Sequence, residues 1–373
     1  MRIAFDARPL LGPRTGVGVW LEALLRGLAD ATDWTFVLCL PRQGDGLALA
    51  GLESRVERLA PARALPGTLW LVTVAADLVA GRADAFVGTL GVLPRRLRLP
   101  AALVVHDLTP RTRPADHTPA NRFCFNAYFE ESVVAADAVV CVSETTRRRL
   151  AAVLPAQARA ARVIRHGVDP FFTPDREDGG RTRERFSRGR PFVVQLGTLE
   201  PRKGVATLVA AHAALCARDA AAPDLVLAGG PGWGGGRLAA ALARHPEPAR
   251  VHRPGYVSRE DARDLLRHAE AVVVASEEEG FGLPLAEALG CGAACVSSDA
   301  PALVEVAAGA ALTFPAGSAA ALADALAEAL RPEPQAALRA AARRRAAELS
   351  WTAPLAAWRG LLEELVGATG GRH

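Results

Sequence analysis

The chain has 373 residues, half of them hydrophobic, with 44 lysines and arginines against 40 acidic residues for a net charge of +4. That length exceeds one ordinary domain and makes two α/β domains of about 150 to 200 residues the natural expectation. The charge excess is too small to argue by itself for nucleic acid, and no nucleic-acid partner is expected; the six cysteines form no Cys-x-x-Cys pair and have no histidines at zinc spacing, which points away from a disulfide framework or a structural metal.

Met1-Arg-Ile-Ala-Phe-Asp6 leads directly into a strand, without the regions of a signal peptide. The longest uncharged run, Val306 to Ala323, is interrupted by Pro315, Gly317 and Ser318 and does not suit a membrane span. A cytoplasmic protein is expected, with at most peripheral association at the inner face of the cell membrane. Arginine clusters at Arg95, Arg96 and Arg98, at Arg147 to Arg149, and at Arg343 to Arg345 read either as solvated faces or as contacts for anionic lipid headgroups.

Short apolar strands alternate with helices through the first half: Arg2 to Asp6, Thr35 to Leu40, Ala85 to Val87, Leu103 to Val105 and Ala138 to Val142. This alternation implies a doubly wound parallel sheet, in which ligands bind beyond the carboxyl ends of the strands. After the first strand, Arg14 to Trp20 carries Gly16 and Gly18 ahead of a leucine-rich helix, without the third glycine of a dinucleotide fingerprint. A plain glycine turn and a close approach to phosphate or sugar are both compatible with it. His106 and Asp107 follow a central strand, where a histidine is placed either to touch a ligand or to serve the core. His212, His245, His252 and His268 read as surface or packing residues. Ser143 suits a helix N-cap. His166 follows the last strand of this half, and the polar stretch from 173 to 190 reads as a linker.

The second half opens a new sheet at Pro191-Phe-Val-Val-Gln-Leu-Gly197 and reaches Arg202-Lys203 just before a helix. Two adjacent cations beside free helix amides suit a diphosphate, though a solvated basic loop reads the same way. Gly229 to Gly236 is a glycine loop, and Gly255-Tyr256-Val257 is placed to line a base pocket unless Tyr256 is a core aromatic. The strand Ala271 to Ala275 then opens through Gly280 and Gly282 into a helix expected to start at Pro284. Glu279 lies in that loop and Glu287 in the expected first turn. The pair suits a ligand rich in hydroxyls and phosphates, or else a favourable helix-end charge beside an acidic loop. Near the C-terminus, Pro354 should kink or restart a final helix.

Taken in order, the Gly16 to Gly18 loop, His106-Asp107-Leu108, Val142-Ser143-Glu144, His166-Gly-Val-Asp169, Gly197 to Gly204 with Pro201-Arg-Lys-Gly204, Gly255-Tyr-Val257 and Glu279-Gly-Phe-Gly-Leu-Pro-Leu-Ala-Glu287 resemble the family 4, GT-B glycosyltransferases. The turn at Val105 to Pro110 is most similar to bacterial mannosyltransferase-like members that build O-antigen and exopolysaccharide. The resemblance implies two Rossmann-like doubly wound parallel-sheet domains of α/β class facing across a cleft. An acceptor-side domain would span 1–172, with a C-terminal helix at about 355–373 packed back on it. A linker at 173–190 would lead to a donor-binding domain at 191–354.

On that model the enzyme moves a hexose, mannose favoured, from a nucleotide-diphosphate sugar to a saccharide or lipid-linked acceptor. It retains configuration by a front-face route, uses no metal and has no cofactor. Catalysis falls to His106, Glu279, Arg202 and Lys203. Donor binding falls to Gly16, Gly18, Gly197, Tyr256, Val257, Gly280, Phe281, Gly282, Leu283 and Glu287, and the acceptor side to Asp107 and His166. His166 stands where the family commonly has asparagine. Another GT-B activity, a nucleotide-sugar epimerase or phosphorylase, or a non-catalytic sugar-nucleotide-binding subunit, shares most of these features. The base, the sugar, the acceptor and the oligomeric state stay open.

Overall fold

Thirteen short parallel strands form two sheets in the computed structural model, which describes residues 1–12, 15–42, 49–65, 67–174, 179–232 and 234–369. The first sheet holds β1 (Arg2–Asp6), β2 (Thr35–Cys39), β3 (Val56–Leu59), β4 (Ala85–Gly88), β5 (Ala101–Val105), β6 (Ala138–Cys141) and β7 (Arg162–Val163), in the order β3-β2-β1-β4-β5-β6-β7. The second holds β8 (Phe192–Leu196), β9 (Asp224–Ala228), β10 (Val251–Gly255), β11 (Ala271–Val274), β12 (Cys295–Ser298) and β13 (Leu312–Phe314), in the order β10-β9-β8-β11-β12-β13. β4, β5, β9, β11 and β12 are buried along their whole length, as expected of parallel strands covered by helices on both faces. Each sheet reverses its strand order once, between β1 and β4 and between β8 and β11, and such switch points are where open α/β sheets bind ligands.

The chain divides into a first unit, Met1–His166 with Trp351–His373, and a second, Gly167–Ser350. Three boundaries differ from the sequence reading. The first unit ends at His166 rather than 172, because Val168 N–H donates to the Leu349 carbonyl at 2.6 Å and Phe172 is buried, both within the second unit. The expected linker at 173–190 contains the helix Gly180–Ser187, which buries Thr182, Phe186 and Ser187. The second unit also ends at Ser350 instead of 354. Pro354 falls in the first turn of the helix Thr352–Thr369, where its missing N–H costs nothing.

The edge strands β3 and β13 escaped the sequence reading. Val56-Glu-Arg-Leu59 carries two charges, and Leu312–Phe314 is only three residues inside an alanine-rich run. Among the described residues no helix is long and apolar enough to cross a membrane.

Candidate active site

In the second unit, β8 ends at Leu196 and the chain turns through Gly197, at φ 126°, into a short turn of 3-10 helix at Pro201–Lys203. Gly204 follows at φ 65° and caps the helix Val205–Arg218. A side chain at Gly204 would put its Cβ 2.1 Å from the Ala275 carbonyl oxygen, so the loop after β8 presses directly on the loop after β11. The Glu277 N–H donates to the Arg202 carbonyl at 2.8 Å, and Gln195 Nε2 donates to the Lys203 carbonyl at 3.1 Å. These contacts fix both loops at the β8/β11 switch point.

There the side chains converge. Lys203 Nζ lies 2.5 Å from Glu279 Oε1, Ser276 Oγ donates to the same oxygen at 2.8 Å, and Arg202 Nη1 lies 3.5 Å from Glu279 Oε2. Arg202 also pairs with Glu200 at 2.6 Å. Arg202 and Lys203 keep only 18% and 14% of their side-chain surface exposed, which rules out a solvated basic loop. Burial alone would raise the Glu279 carboxyl, but Lys203 and Arg202 outweigh it and hold the pKa below the usual carboxylate range. Glu200 goes the other way: its burial prevails over the two cations, and Glu279 adds to the rise. Sequence reasoning missed Glu200 and Ser276, although each sits within three residues of a residue it named.

The helix at Glu287 spans Leu283–Gly290, one residue earlier than expected, because Gly282 adopts φ 103° and closes the turn there. Glu287 therefore lies beyond the first turn and not within it. Gly280, Phe281 and Gly282 are buried, and a Cβ on Gly282 would meet Leu303 at 2.5 Å. Burial pushes the Glu287 carboxyl up to about 8; Arg259 opposes the rise and Asp169 reinforces it. Arg259 is itself ion-paired with Asp169 and stacked over Phe171 at 4.5 Å. Tyr256 is 61% exposed and therefore no core aromatic, while Val257 is half-buried beside it.

In the first unit, His106 and Asp107 follow the interior strand β5. The His106 ring packs edge-on against Trp20 at 4.9 Å and lies 5.6 Å from His166, whose ring is 5.5 Å from Trp20. Burial lowers the His106 pKa to about 4 against the opposing pull of Asp107 and a backbone hydrogen bond at Thr89. Burial, and then His106, carry His166 well below its ordinary value. Both rings are thus neutral at pH 7. The Asp107 carboxylate accepts from the Thr109 N–H at 3.0 Å and hydroxyl at 2.7 Å, which gives it a turn-stabilising role.

Gly16 and Gly18 open the helix Gly16–Ala31 instead of forming a loop before it, with Gly16 exposed and Gly18 buried. With no third glycine to hold a loop open, the leucine periodicity extends the helix back over both. Arg14, and Trp233 of the Gly229 to Gly236 loop, lie outside the described residues. Arg95, Arg96 and Arg98 line a cavity of about 450 Å³ ahead of β5, at the sheet edge opposite His106, so they do not join the histidine cluster.

A strand–loop–helix Glu-x7-Glu unit and a buried Arg-Lys pair, set at the switch point of the second of two Rossmann-like sheets, define a GT-B glycosyltransferase. Residues 14–172 match the model described as Glycosyltransferase Family 4, and residues 180–348 match Glycosyl transferases group 1. The chain belongs to the family 4 glycosyltransferases of GT-B fold.

It is 26% identical over 327 residues to the O-antigen chain mannosyltransferase B of Escherichia coli, covering 82% of this chain and 84% of that one. In fold it is similar to the sucrose-phosphate synthase of Thermosynechococcus elongatus, with a TM-score of 0.80 at 20% identity, covering 98% and 99% of the two chains. It is also similar to Anabaena HepE solved in complex with UDP and glucose, with a TM-score of 0.75 at 19% identity, covering 98% and 100%.

Proposed function

We propose that this glycosyltransferase moves a hexose, mannose before others, from a nucleotide-diphosphate sugar to a saccharide or lipid-linked saccharide, with retention of configuration and without a metal. The observation that carries this reading is the buried cluster of Arg202, Lys203 and Glu279 at the β8/β11 switch point. Two cations at one point match the two negative charges of a diphosphate, Arg202 by bidentate contact and Lys203 as a point charge. Their charge is the kind that stabilises a departing diphosphate. The preference for mannose rests on the mannosyltransferase relative.

Within that reading Glu279 orients both cations and accepts a hydroxyl of the transferred sugar. Glu287 holds the ribose, and Tyr256 and Val257 flank the base. The amides near Leu283 take a phosphate oxygen. His106 and Gly16 belong to the first unit, and the neutral His106 ring is able to donate or accept a hydrogen bond to a sugar hydroxyl. Glu279 is engaged by Lys203, Arg202 and Ser276 and is a poor nucleophile. This favours front-face attack: the acceptor oxygen bonds to the anomeric carbon, the bond from that carbon to the diphosphate oxygen breaks, and that oxygen takes the acceptor's proton.

The test is a thermal-shift screen against UDP, GDP, ADP and dTDP sugars, because a ligand that binds only the native state raises the Tm. Turnover of the stabilising donor is then measured in chelator. Lys203→Ala should reduce turnover by about 100-fold or more, and the anomeric proton of the product should show retention by NMR. Full activity in both Lys203→Ala and Glu279→Ala would sink the proposal.

A further inference from the structure

Three side chains outside the candidate active site form a buried cluster at the opposite, amino-terminal edge of the second sheet. His212 and Cys216 lie one turn apart on one face of the helix Val205–Arg218, and His245 follows the helix Gly235–Ala243. Their exposures are 0%, 6% and 4%. The His212 and His245 rings stack with centroids 5.1 Å apart, and His212 Nδ1 is 2.9 Å from His245 Nε2. Cys216 Sγ is 3.8 Å from His212 Nδ1. One donor atom from each residue lies within 4.8 Å of the others. From sequence these histidines read as surface or packing residues and no structural metal is indicated; His245 is 33 residues from His212 and only the fold brings them together. His252 likewise has a partner, Asp224 at 2.8 Å.

We propose that His212, Cys216 and His245 bind one zinc ion. Two imidazoles and a thiolate are the donor set that a borderline-soft divalent ion prefers. The outer contact is also present: His212 Nε2 donates to the Pro223 carbonyl at 2.9 Å, which fixes the ring and turns Nδ1 toward the cluster. The nearby Arg190 and Arg250 are each paired with Asp224, at 2.8 and 3.1 Å, which offsets their repulsion of a cation.

At zinc–nitrogen distances of about 2.0 to 2.1 Å two tetrahedral nitrogens stand about 3.3 Å apart, so His245 has to give by about 0.4 Å. It sits outside regular helix, just after the helix Gly235–Ala243. Binding releases the Cys216 thiol proton. The proton between the two rings is retaken by His245 Nδ1 with a turn of the Glu247 peptide, whose N–H now faces that nitrogen at 3.1 Å. The ion would tie together the end of one helix, the entry to β9 and the loop that follows the next helix. Its role is structural and independent of the sugar-nucleotide reading.

The experiment uses the full chain, exposed to excess zinc, separated by gel filtration and assayed by mass spectrometry. About one equivalent is expected, with a Tm about 5 °C above that of chelated protein. Cobalt should give a thiolate charge-transfer band that disappears in the near-isosteric Cys216→Ser variant. Retention of less than about a tenth of an equivalent, or a cobalt band that survives Cys216→Ser, overturns the proposal; the cluster is then a hydrogen-bonded chain of neutral rings.

Discussion

Two glutamates of one motif, with seven residues between them, acquire opposite acid–base character from their surroundings. Glu279 is held below the usual range by Lys203 and Arg202, whereas Glu287 is pushed up to about 8 by burial. The consequences for stability differ in sign. A native carboxyl with a depressed pKa stabilises the fold above the unfolded value, and the contribution is lost as pH falls through the folded one. A carboxyl with a raised pKa keeps a proton that the unfolded chain has already released. Its stabilisation is complete below about 4.3 and is lost as pH rises from there through 8. Glu287→Gln, which cannot ionise, should match wild type in stability at about pH 3.5, begin to exceed it by about pH 5, and exceed it at pH 9 by about 2 kcal/mol, after allowance for the partial exposure of the side chain. Glu279→Gln should cost about 3 kcal/mol at pH 7 by leaving Lys203 and Arg202 with half their partner, and the deficit should shrink below pH 4. Denaturant titrations across this pH range check both, and equal pH profiles for the two variants would contradict the assignment.

At the scale of elements, the site depends on two loops pressed backbone to backbone. Gly204 and Gly197 both have positive φ, but their surroundings differ. A Cβ at Gly204 collides with the Ala275 carbonyl at 2.1 Å, while one at Gly197 meets nothing within 4 Å. Gly197→Ala therefore carries conformational strain alone, about 2 kcal/mol. Gly204→Ala adds displacement of the loop that carries Glu279 and should cost about 4 kcal/mol or more. Urea midpoints of the two variants measure the difference.

The strand–loop–helix units were legible in the sequence because glycine, proline and β-branched residues mark them locally. Arg202-Lys203 and Glu279 were each legible for the same reason. Their mutual pairing was not, since it joins residues 76 apart. Nor was the burial that sets Glu287 and His106, which depends on neighbours from several elements. Gly16 and Gly18 misled because glycine at a helix start resembles glycine in a loop.

On the scale of the whole molecule, the chain leaves the first unit at Gly167 and returns to it at Trp351, so residues 1–166 are not a complete folding unit. The returning helix Thr352–Thr369 supplies Trp358, Leu361, Leu362 and Leu365 to that core, with Trp358 1% exposed and 6.0 Å from Trp20. Leu355 packs so closely on Gly27 that a Cβ there would stand 2.4 Å from it. Trp20 in turn packs on His106 and His166. The C-terminal helix therefore bears on the histidine cluster through Trp20, although no residue of the helix belongs to the proposed machinery. Trp358→Ala should cost about 3 to 5 kcal/mol, all of it in the first unit. Calorimetry should show that unit's transition lowered and the second unit's unchanged. Turnover should fall while the nucleotide-sugar thermal shift of the second unit persists, because the diphosphate cluster lies within the second unit. If both transitions drop together, the C-terminal helix supports more of the protein than the first unit's core.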